Sequence, residues 1–439
     1  MPPKKKKEKK EKKPSYLPYN HSLFKKGIPH SEHLENIRFG EIDITFLILV
    51  LILLVFGVIM MYSASYAWAI KDDVAPDYYF KRQLFMAGVG LAIMMVVSSR
   101  LFDYHLLTNN TINKAFFAFC SVLMLVVHIP GVGTATADAK RWIDLKVFSF
   151  QPSELMKLAL IILLAHIMAI NYRQMNNRYS VILYLIPTGF VALLTLAQRH
   201  LSATIIVCII AFSMMFIGGI NLRSFFSTLF VGILIAAIGI LILYQTDKFD
   251  YLQERIASWL YTFEPENKDV AWQTRNSLIA IGSGNLFGLG LGNSRQKFLY
   301  LPESKNDFVF SIVCEELGFI GASVVIILFI LLIFKGFAIA ANAPDKFGML
   351  LSAGIIIQIG LQALLNIAVV TNTIPNTGIS LPFFSYGGTA LIIQLAQMGI
   401  ILNVSRQSIP SKEREDADDA AVSRAKKELG ETARKRMSR

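Results

Sequence analysis

Two charged residues open an otherwise apolar stretch of the chain. Glu154 and Lys157 precede a run of apolar residues that extends to about residue 170. Residues three apart share a helix face, so these side chains can pair with each other. Charged groups at membrane depth are costly and usually face a partner or a cavity. The pair is therefore either a structural ion pair or part of a binding site, and the sequence leaves both interpretations open.

A second candidate for chemistry is Asp307, which stands where a long polar segment meets the next apolar run. A carboxylate at a helix N-terminus is favoured by the helix dipole, so a capping role is one interpretation. The other is a general base at the edge of a membrane. Glu315 and Glu316 lie further inside the same run, where at least one of them must face a partner or water.

Residues 279–294 are dense in glycine. Glycine-rich turns let backbone N–H groups approach an anion, but glycines also permit close packing of helices. The pattern alone does not choose between these two roles. The segment leads directly into residues 296–310 and so into Asp307.

The elements that must position these residues are membrane spans. Of the 439 residues, 54% are hydrophobic and only 17% are charged, against about 25% charged in an average soluble domain. Apolar runs of about 18–25 residues are long enough to cross a bilayer. Ten spans are predicted, at 44–65, 83–99, 115–129, 155–170, 180–197, 203–220, 224–244, 308–334, 348–370 and 385–404. The fold class is therefore an all-α polytopic membrane protein.

Charge sets the predicted topology and organisation. The net charge is +12, and much of the excess lies in the run Lys4–Lys13. A basic tail beside a first span predicts a cytoplasmic N-terminus that touches anionic lipid, rather than a nucleic-acid partner. Ten spans then place both termini in the cytoplasm. The predicted parts are a basic tail at 1–43, a membrane domain at 44–404 and a charged tail at 405–439.

Two predicted outer loops are long, at about 130–154 and at 245–307 between spans seven and eight. Loops this long with little secondary structure of their own are usually functional. Within the second, Leu252, Ile256, Trp259 and Leu260 fall on one helical face. That spacing predicts a short amphipathic helix, which either lies in the outer interface or packs as an ordinary loop helix.

Several cations fall on the predicted outer side, where short loops usually avoid them. Lys and Arg are the usual partners of phosphate oxygens, so these residues predict an anion site on that face. The residues are Lys140, Arg141, Lys146, Arg199, Arg255, Arg275, Arg295, Lys297 and Lys305. The sequence contains no P-loop, so no nucleotide is expected. It also contains no Cys/His spacing typical of zinc.

Three ordered motifs resemble the SEDS family (shape, elongation, division, sporulation), and most closely its FtsW and SpoVE branch. They lie at residues 140–157, at 290–308 and at 375–388. One departure is the run Gln198–Ala203, where family members often carry Gln-Pro-Asp-x-Gly-Thr and this chain has His200 at the acidic position. That replacement puts any role of the family's acidic residue in doubt here.

The resemblance implies a fold of ten membrane helices and an enzyme, a peptidoglycan glycosyltransferase that joins lipid II units on the outer face of the cytoplasmic membrane. It implies a role in septal wall synthesis, with a class B penicillin-binding protein and other division proteins as partners. The essential carboxylate of the family maps onto Asp307, the catalytic candidate. The substrate-binding candidates are Lys140, Arg141, Trp142, Gln151, Ser153, Glu154, Lys157, Arg255, Gln273 and Glu303.

The chemistry expected from this resemblance is a glycosyl transfer. Asp307 would accept the acceptor's hydroxyl proton, or hold a divalent cation such as Mg²⁺ or Mn²⁺ that does similar work. Two other functions remain open from the sequence. Ten spans with intramembrane charges also suit a lipid II flippase, and the same motifs suit a scaffold that activates a partner synthase.

Overall fold

The protein is described here from a computed structural model. The structure describes residues 40–129, 133–136, 139–144, 149–172, 178–221, 223–232, 234, 250–264 and 271–408. The predicted N-terminal tail before residue 40, the C-terminal tail after residue 408 and Lys146 lie outside this range.

Helices dominate the described residues. The first six are α1 (Ile44–Lys71), α2 (Tyr78–Ser98), α3 (Asn110–Val126), α4 (Pro152–Ile170), α5 (Arg178–Ala197) and α6 (Leu201–Gly218). They are followed by α7 (223–232), α8 (Asp250–Leu260), α9 (Trp272–Ser283), α10 (Val309–Ala341), α11 (Lys346–Val370) and α12 (Gly388–Gln407). A short 3₁₀-helix, Tyr104–Thr108, connects α2 to α3.

The predicted spans coincide with these helices. Seven described helices are long and apolar enough to cross a membrane, and α3 and α5 are shorter apolar helices. These nine match nine of the ten predicted spans to within a few residues, except that α1 and α10 extend further at their ends. The remaining span, 224–244, begins on α7 and continues outside the described residues. The chain is an all-α polytopic membrane protein, as predicted.

The first long loop departs from its prediction because it carries strands. A three-stranded antiparallel sheet is formed by β1 (Gly133–Thr136), β2 (Ala139–Asp144) and β3 (Ser149–Phe150), in the order β1-β2-β3. Thr, Trp and Ile residues suit a pleated strand. The strands are short and interrupted by small residues, so no clear alternation of apolar and polar residues marks them. The sheet fixes the path of the chain just before α4.

The helices pack around α4, whose residues are almost all buried. It contacts α3, α5, α6 and α11, while α12 lies along α2 and α10 lies between α1 and α11. The Gly40 N–H donates to the Arg406 carbonyl at 2.8 Å, so both ends of the described chain meet at one end of the bundle. We call this the terminal end. Helix α1 rises from it for 28 residues, or about 42 Å, to the opposite end.

The glycine-rich segment is built into a break in α10. Gly318 has φ +68° and interrupts the helix. The N–H groups of Phe319 and Ile320 then donate to the carbonyls of Asn285 and Leu286, at 2.8 and 3.2 Å. A Cβ atom at Gly288 would lie 2.1 Å from the Glu316 carbonyl oxygen. Of the two roles left open by the sequence, the contacts of Gly284 and Gly288 are those of close packing against α10.

Candidate active site

A cavity of about 810 Å³ opens at the end of the bundle opposite the terminal end. Its walls come from the ends of α1, α2, α4, α6, α11 and α12, from β2 and β3, and from the large loop. Nine of the eleven predicted site residues line it: Arg141, Trp142, Gln151, Glu154, Lys157, Arg255, Gln273, Glu303 and Asp307. Residues spread over 167 positions of the sequence are thus gathered in one place.

Two predicted residues are not among those that line the cavity. Ser153 is buried at the start of α4, where its hydroxyl finds no hydrogen-bond partner among the described residues. It lies between Gln151 and Glu154, both of which reach the cavity. Because successive helix residues point about 100° apart, neighbours in sequence need not share a face. Lys140 lies in β2, and its side chain is outside the description.

Asp307 lies two residues before the first residue of α10 and does not cap it. Residue Phe308 is the N-cap, and no side chain makes the capping hydrogen bond. The Asp307 carbonyl accepts a 2.6 Å hydrogen bond from Asn366, which also donates to the Ile379 carbonyl at 2.6 Å. A Cβ atom at Gly378 would lie 3.3 Å from the Asp307 carboxylate. Asn366 therefore holds the Asp307 backbone, Gly378 lies against the carboxylate, and the carboxylate accepts no hydrogen bond from the described residues.

The surroundings of Asp307 change its acidity. Burial among protein atoms is the largest influence and raises the pKa of its carboxyl to about 7, and the nearby Glu303 carboxylate also raises it. Arg141 and Arg255 act in the opposite direction. A carboxylate with an ordinary pKa near 4 is a weak base. A pKa near neutrality suits a group that must accept a proton at physiological pH.

Glu154 and Lys157 form the predicted pair. Lys157 Nζ lies 2.7 Å from Glu154 Oε1, and both side chains are almost fully buried. The amide of Gln362 donates to the other carboxylate oxygen at 3.4 Å. Both residues of the pair also line the cavity. The two interpretations drawn from the sequence are therefore compatible, because one pair packs α4 against α11 and is exposed to the cavity.

One face of α11 contacts both Glu154 and Asp307. Gln358, Gln362 and Asn366 are spaced four residues apart in an apolar helix. Gln362 contacts Glu154, and Asn366 holds the backbone at Asp307. Sequence reasoning missed these residues, although a polar stripe on an apolar helix was the available signal.

The guanidinium groups of Arg141 and Arg255 are anchored by backbone carbonyls. Arg141 donates to the carbonyls of Gln198, at 3.5 Å, and Arg199. Arg255 donates to the Asn376 carbonyl. The Asn376 amide in turn donates to Gln273 Oε1 at 2.9 Å. These bonds fix the direction of two positive charges along the cavity wall.

Helix α8 is the short helix predicted within the large loop. Trp259 Nε1 donates to the Asn372 carbonyl at 3.0 Å, and the Asn372 amide returns a 3.1 Å bond to the Trp259 carbonyl. Leu260 is 56% exposed. The helix is therefore packed against the segment that follows α11 through one face, while it presents apolar atoms on another.

Lys305 was assigned from the sequence only as an outer cation, and its surroundings were missed. Its ammonium group lies 3.8 Å from the centre of the Tyr79 ring and 4.8 Å from that of Trp68. It also lies 3.6 Å from Asp72, and Tyr386 completes the group. Burial lowers the pKa of Lys305. Aromatic rings around a cation stabilise it, and the Asp72 carboxylate offsets its charge, so this group fixes the Lys305 ammonium at the cavity wall.

Other outer cations have different neighbours. Lys297 is buried and lies 3.0 Å from Glu316 Oε1, and it donates to Ser63 at 2.9 Å. Arg275 lies over the ring of Phe263. Neither of these cations lines the cavity, so the predicted outer cluster divides into cavity residues and packing residues.

The carboxylates inside α10 both face partners, as predicted. Glu315 accepts from the N–H of Arg295 at 3.0 Å and from the Ser294 hydroxyl. Glu316 accepts from Ser63 at 2.6 Å and pairs with Lys297. They stabilise the turn at 294–297 and do not reach the cavity.

The donor set for a metal is small. Among the residues that the structure describes, no group of three His, Cys, Asp or Glu side chains could hold a metal ion. Asp307 and Glu303 are carboxylates close enough to influence each other. Mg²⁺ often binds through one or two carboxylates plus substrate phosphates. These two residues would therefore hold a cation only together with oxygen atoms of a phosphate ligand.

A family model described as a cell cycle protein of the FtsW, RodA and SpoVE type matches residues 44–409. The chain belongs to the FtsW/RodA/SpoVE family. The predicted resemblance is thereby confirmed, and the match covers the whole membrane domain. The cavity is lined by residues of all three motifs from which the family was predicted.

Curated members of the family are similar over most of their length. Stage V sporulation protein E of Bacillus subtilis is 38% identical, over 83% of this chain and 97% of that protein. A probable peptidoglycan glycosyltransferase FtsW of Geobacter sulfurreducens is 36% identical, over 83% of this chain and 95% of that protein.

Solved structures of the family share the fold. A chain from a peptidoglycan synthase complex, solved in work on the coordination of polymerization and crosslinking, aligns with TM-score 0.67 and 25% identity. It matches 83% of this chain and 98% of its own length. The rod shape determining protein RodA of Thermus thermophilus aligns with TM-score 0.58 and 26% identity, over 84% of this chain and 98% of its own length.

Proposed function

We propose that this chain is a peptidoglycan glycosyltransferase that polymerises lipid II into glycan strands. The observation that carries the proposal is the position of Asp307, a carboxylate of raised pKa in a cavity with anchored guanidinium groups. The names of the FtsW relatives support the activity.

The reaction we infer is a single displacement at the anomeric carbon of a lipid-linked donor. A hydroxyl oxygen of the acceptor sugar forms the new glycosidic bond, and its proton passes to the Asp307 carboxylate. The bond from the anomeric carbon to the phosphate oxygen breaks, and polyprenyl pyrophosphate leaves with the electron pair. Arg141 and Arg255 stabilise the negative charge that develops on it. A divalent cation on Asp307 remains a prediction, and no step here requires it.

We infer further that the cavity faces the outer side of the cytoplasmic membrane. The described chain ends, Gly40 and Arg406, meet at the terminal end, and the basic run Lys4–Lys13 precedes it in sequence. Basic residues beside a first span favour the cytoplasmic side. Helix α1 then carries the chain to the opposite end, where Asp72 lines the cavity. Both termini are cytoplasmic in this orientation.

The proposed partner is a class B penicillin-binding protein, which would crosslink the strands. This proposal is supported by the similarity to a chain of a peptidoglycan synthase complex. The sequence similarity to FtsW and SpoVE proteins favours a role in division or sporulation. Other division proteins would then be further partners.

The test is polymerisation by purified protein. The full chain, with a partner whose transpeptidase serine is replaced, is incubated with lipid II, and the products are separated by length. Glycan strands are expected. Strands formed equally without this chain would contradict the proposal. Lipid II translocation in vesicles without strand formation would favour a flippase, and strands dependent on the chain yet unaffected by Asp307→Asn would favour a scaffold.

A further inference from the structure

Residues 303–307, which we call the Asp307 segment, are fastened to neighbours on two sides. On one side, Trp68 Nε1 at the end of α1 donates to the Ser304 hydroxyl at 2.9 Å. On the other side, the Ser385 hydroxyl, just before α12, donates to the Asn306 carbonyl at 2.7 Å. The segment therefore lies between the end of α1 and the residues that lead into α12.

Lys305 joins these two sides through its backbone and its side chain. Its carbonyl accepts a 2.8 Å hydrogen bond from the Tyr386 N–H. Its side chain, only 12% exposed, ends among Trp68, Asp72, Tyr79 and Tyr386, which we call the Lys305 box. The box is itself connected, because the Tyr79 hydroxyl donates to Asp72 and the rings of Tyr79 and Tyr386 meet edge to face at 5.1 Å. One side chain thus links the Asp307 segment to α1, α2 and the residues before α12.

A second lysine over the same indole ring provides a comparison. The ammonium groups of Lys71 and Lys305 lie 4.6 and 4.8 Å from the centre of the Trp68 ring. Lys71 is exposed at the end of α1 and does not line the cavity, so water weakens its attraction to the ring. Lys305 is sheltered and stands two residues before Asp307. The two lysines share a ring, but Lys305 alone of the two belongs to the Asp307 segment.

The influence of Lys305 on Asp307 is one of position. Burial sets most of the raised pKa of Asp307, and the charges that act on it are those of Glu303, Arg141 and Arg255. The charge of Lys305 is offset by Asp72, 3.6 Å away. What Lys305 gives to Asp307 is a fixed backbone, and with it a fixed depth among protein atoms.

We propose that Lys305 is a positioning residue, which through its box holds the Asp307 segment in place and keeps Asp307 sheltered at the cavity. The inference rests on the proposed function, in which Asp307 is the base, and deepens it. A displacement of about 1 Å at a reacting group costs about a hundredfold in rate. A loosened segment would also admit water, and less burial lowers the pKa of Asp307, whereas loss of a nearby cation by itself raises it. Position and charge therefore predict shifts of opposite sign.

Infrared titration of Asp307 in the full chain separates these two effects. The variants are Lys305→Met, which keeps an unbranched stem, Lys305→Arg, which keeps a cation for the rings, and the control Lys71→Met. Asp307→Asn in the same background is the blank for the C=O band of the protonated carboxyl. We expect the midpoint to fall by about one pH unit in Lys305→Met and to stay within about 0.3 unit in the other two. An unchanged or higher midpoint in Lys305→Met would overturn the proposal.

Kinetics with lipid II and the partner test the same role, because Lys305 also lines the cavity. A positioning residue acts on the chemical step, so kcat should fall about tenfold in Lys305→Met while KM stays within about twofold. Lys305→Arg should recover most of the loss, and Lys71→Met should match the wild type. A raised KM with unchanged kcat would assign Lys305 to substrate binding and reject the positioning role.

Thermal unfolding shows whether each variant is folded. If Lys305→Met does not fold, Tyr79→Leu replaces it, because it removes the nearest ring and leaves both lysines in the chain. The Asp307 midpoint should then fall by about half a unit, and a midpoint that stays at the wild-type value would overturn the proposal.

The two proposals fail in different ways. A wild type that makes no strands with its partner would contradict the proposed function, while the infrared midpoints would still show whether Lys305 holds Asp307. A polymerising wild type whose Lys305→Met variant keeps the wild-type midpoint would remove only the positioning role.

Discussion

Asp307 and Glu316 are carboxylates nine residues apart on one segment, yet their surroundings differ. Glu316 has a buried lysine, a serine hydroxyl and the Ser294 N–H around one oxygen. Asp307 accepts no hydrogen bond from the described residues. The pKa of its carboxyl is set by burial, the Glu303 carboxylate and the guanidinium groups of Arg141 and Arg255. A carboxylate that is paired through one oxygen with a buried lysine holds structure, whereas one that is left open at a cavity is available to a substrate.

The largest expected effect is on catalysis. Asp307→Asn keeps the size of the side chain but removes its ability to accept a proton. We expect lipid II polymerisation to fall by about a hundredfold to ten-thousandfold, with thermal unfolding unchanged. The rate is measured in single-turnover assays with the partner present. A variant that polymerises at the wild-type rate would remove Asp307 from its role as the base.

Loss of the partner of Glu316 should affect the free energy of unfolding rather than catalysis. Lys297→Met leaves a buried carboxylate without its cation, and breaking such a pair costs about 3–5 kcal/mol. The free energy of unfolding is measured in denaturant or by steric trapping. The double variant Lys297→Met/Glu316→Gln removes both charges and should recover much of the loss. Additive losses in the double variant would count against a coupled pair.

The glycine-filled break beside this cluster should also be sensitive. Gly318→Ala places a Cβ atom 2.3 Å from the Gly288 nitrogen, at a residue with φ +68°. A non-glycine residue in such a strained conformation costs about 1–3 kcal/mol before the clash is counted. Gly282→Ala is the control, because its Cβ atom would meet nothing within 4 Å and it lies in helix α9. Equal stability of the two variants would contradict the packing role.

The smallest expected effect is a shift in pH dependence. The base must be ionised, so kcat/KM should rise with pH through the pKa of Asp307, about 7, and then level off. Glu303→Gln removes a negative neighbour and should move this rise to lower pH by about half a unit, while Arg255→Gln should move it to higher pH. Shifts in the same direction would contradict the electrostatic account.

The fold could be predicted because an apolar run long enough to cross a bilayer indicates a membrane-spanning helix. Runs such as 348–370 correspond to a helix, Lys346–Val370, to within two residues. The sheet at Gly133–Phe150 was not predicted, since its three strands are too short for an alternating pattern. The break at Gly318 was also missed. A glycine in an apolar run does not by itself predict a kink, and here the kink depends on residues 285–288, which pack against it.

The site could be predicted only in part, and for a different reason. The family motifs identified Asp307 and Arg141 from the resemblance, but motifs do not report which residues meet in space. Asn366, which holds the Asp307 backbone, and Tyr79, which packs on Lys305, lie on helices outside those motifs. The prediction for Lys297 was wrong in the opposite way. Its position in an outer loop suggested a contact with a ligand, whereas its ammonium group pairs with the buried Glu316.

The contrast between the two carboxylates is tested most directly by titration of Asp307 itself. Infrared difference spectra of the wild type, with Asp307→Asn as the blank, isolate the C=O band of its protonated carboxyl. Because the folded protein raises the pKa of Asp307 to about 7, this band should be present in acid and disappear as the pH rises through neutrality. A band that disappears near pH 4, the ordinary range of aspartate, would contradict the account.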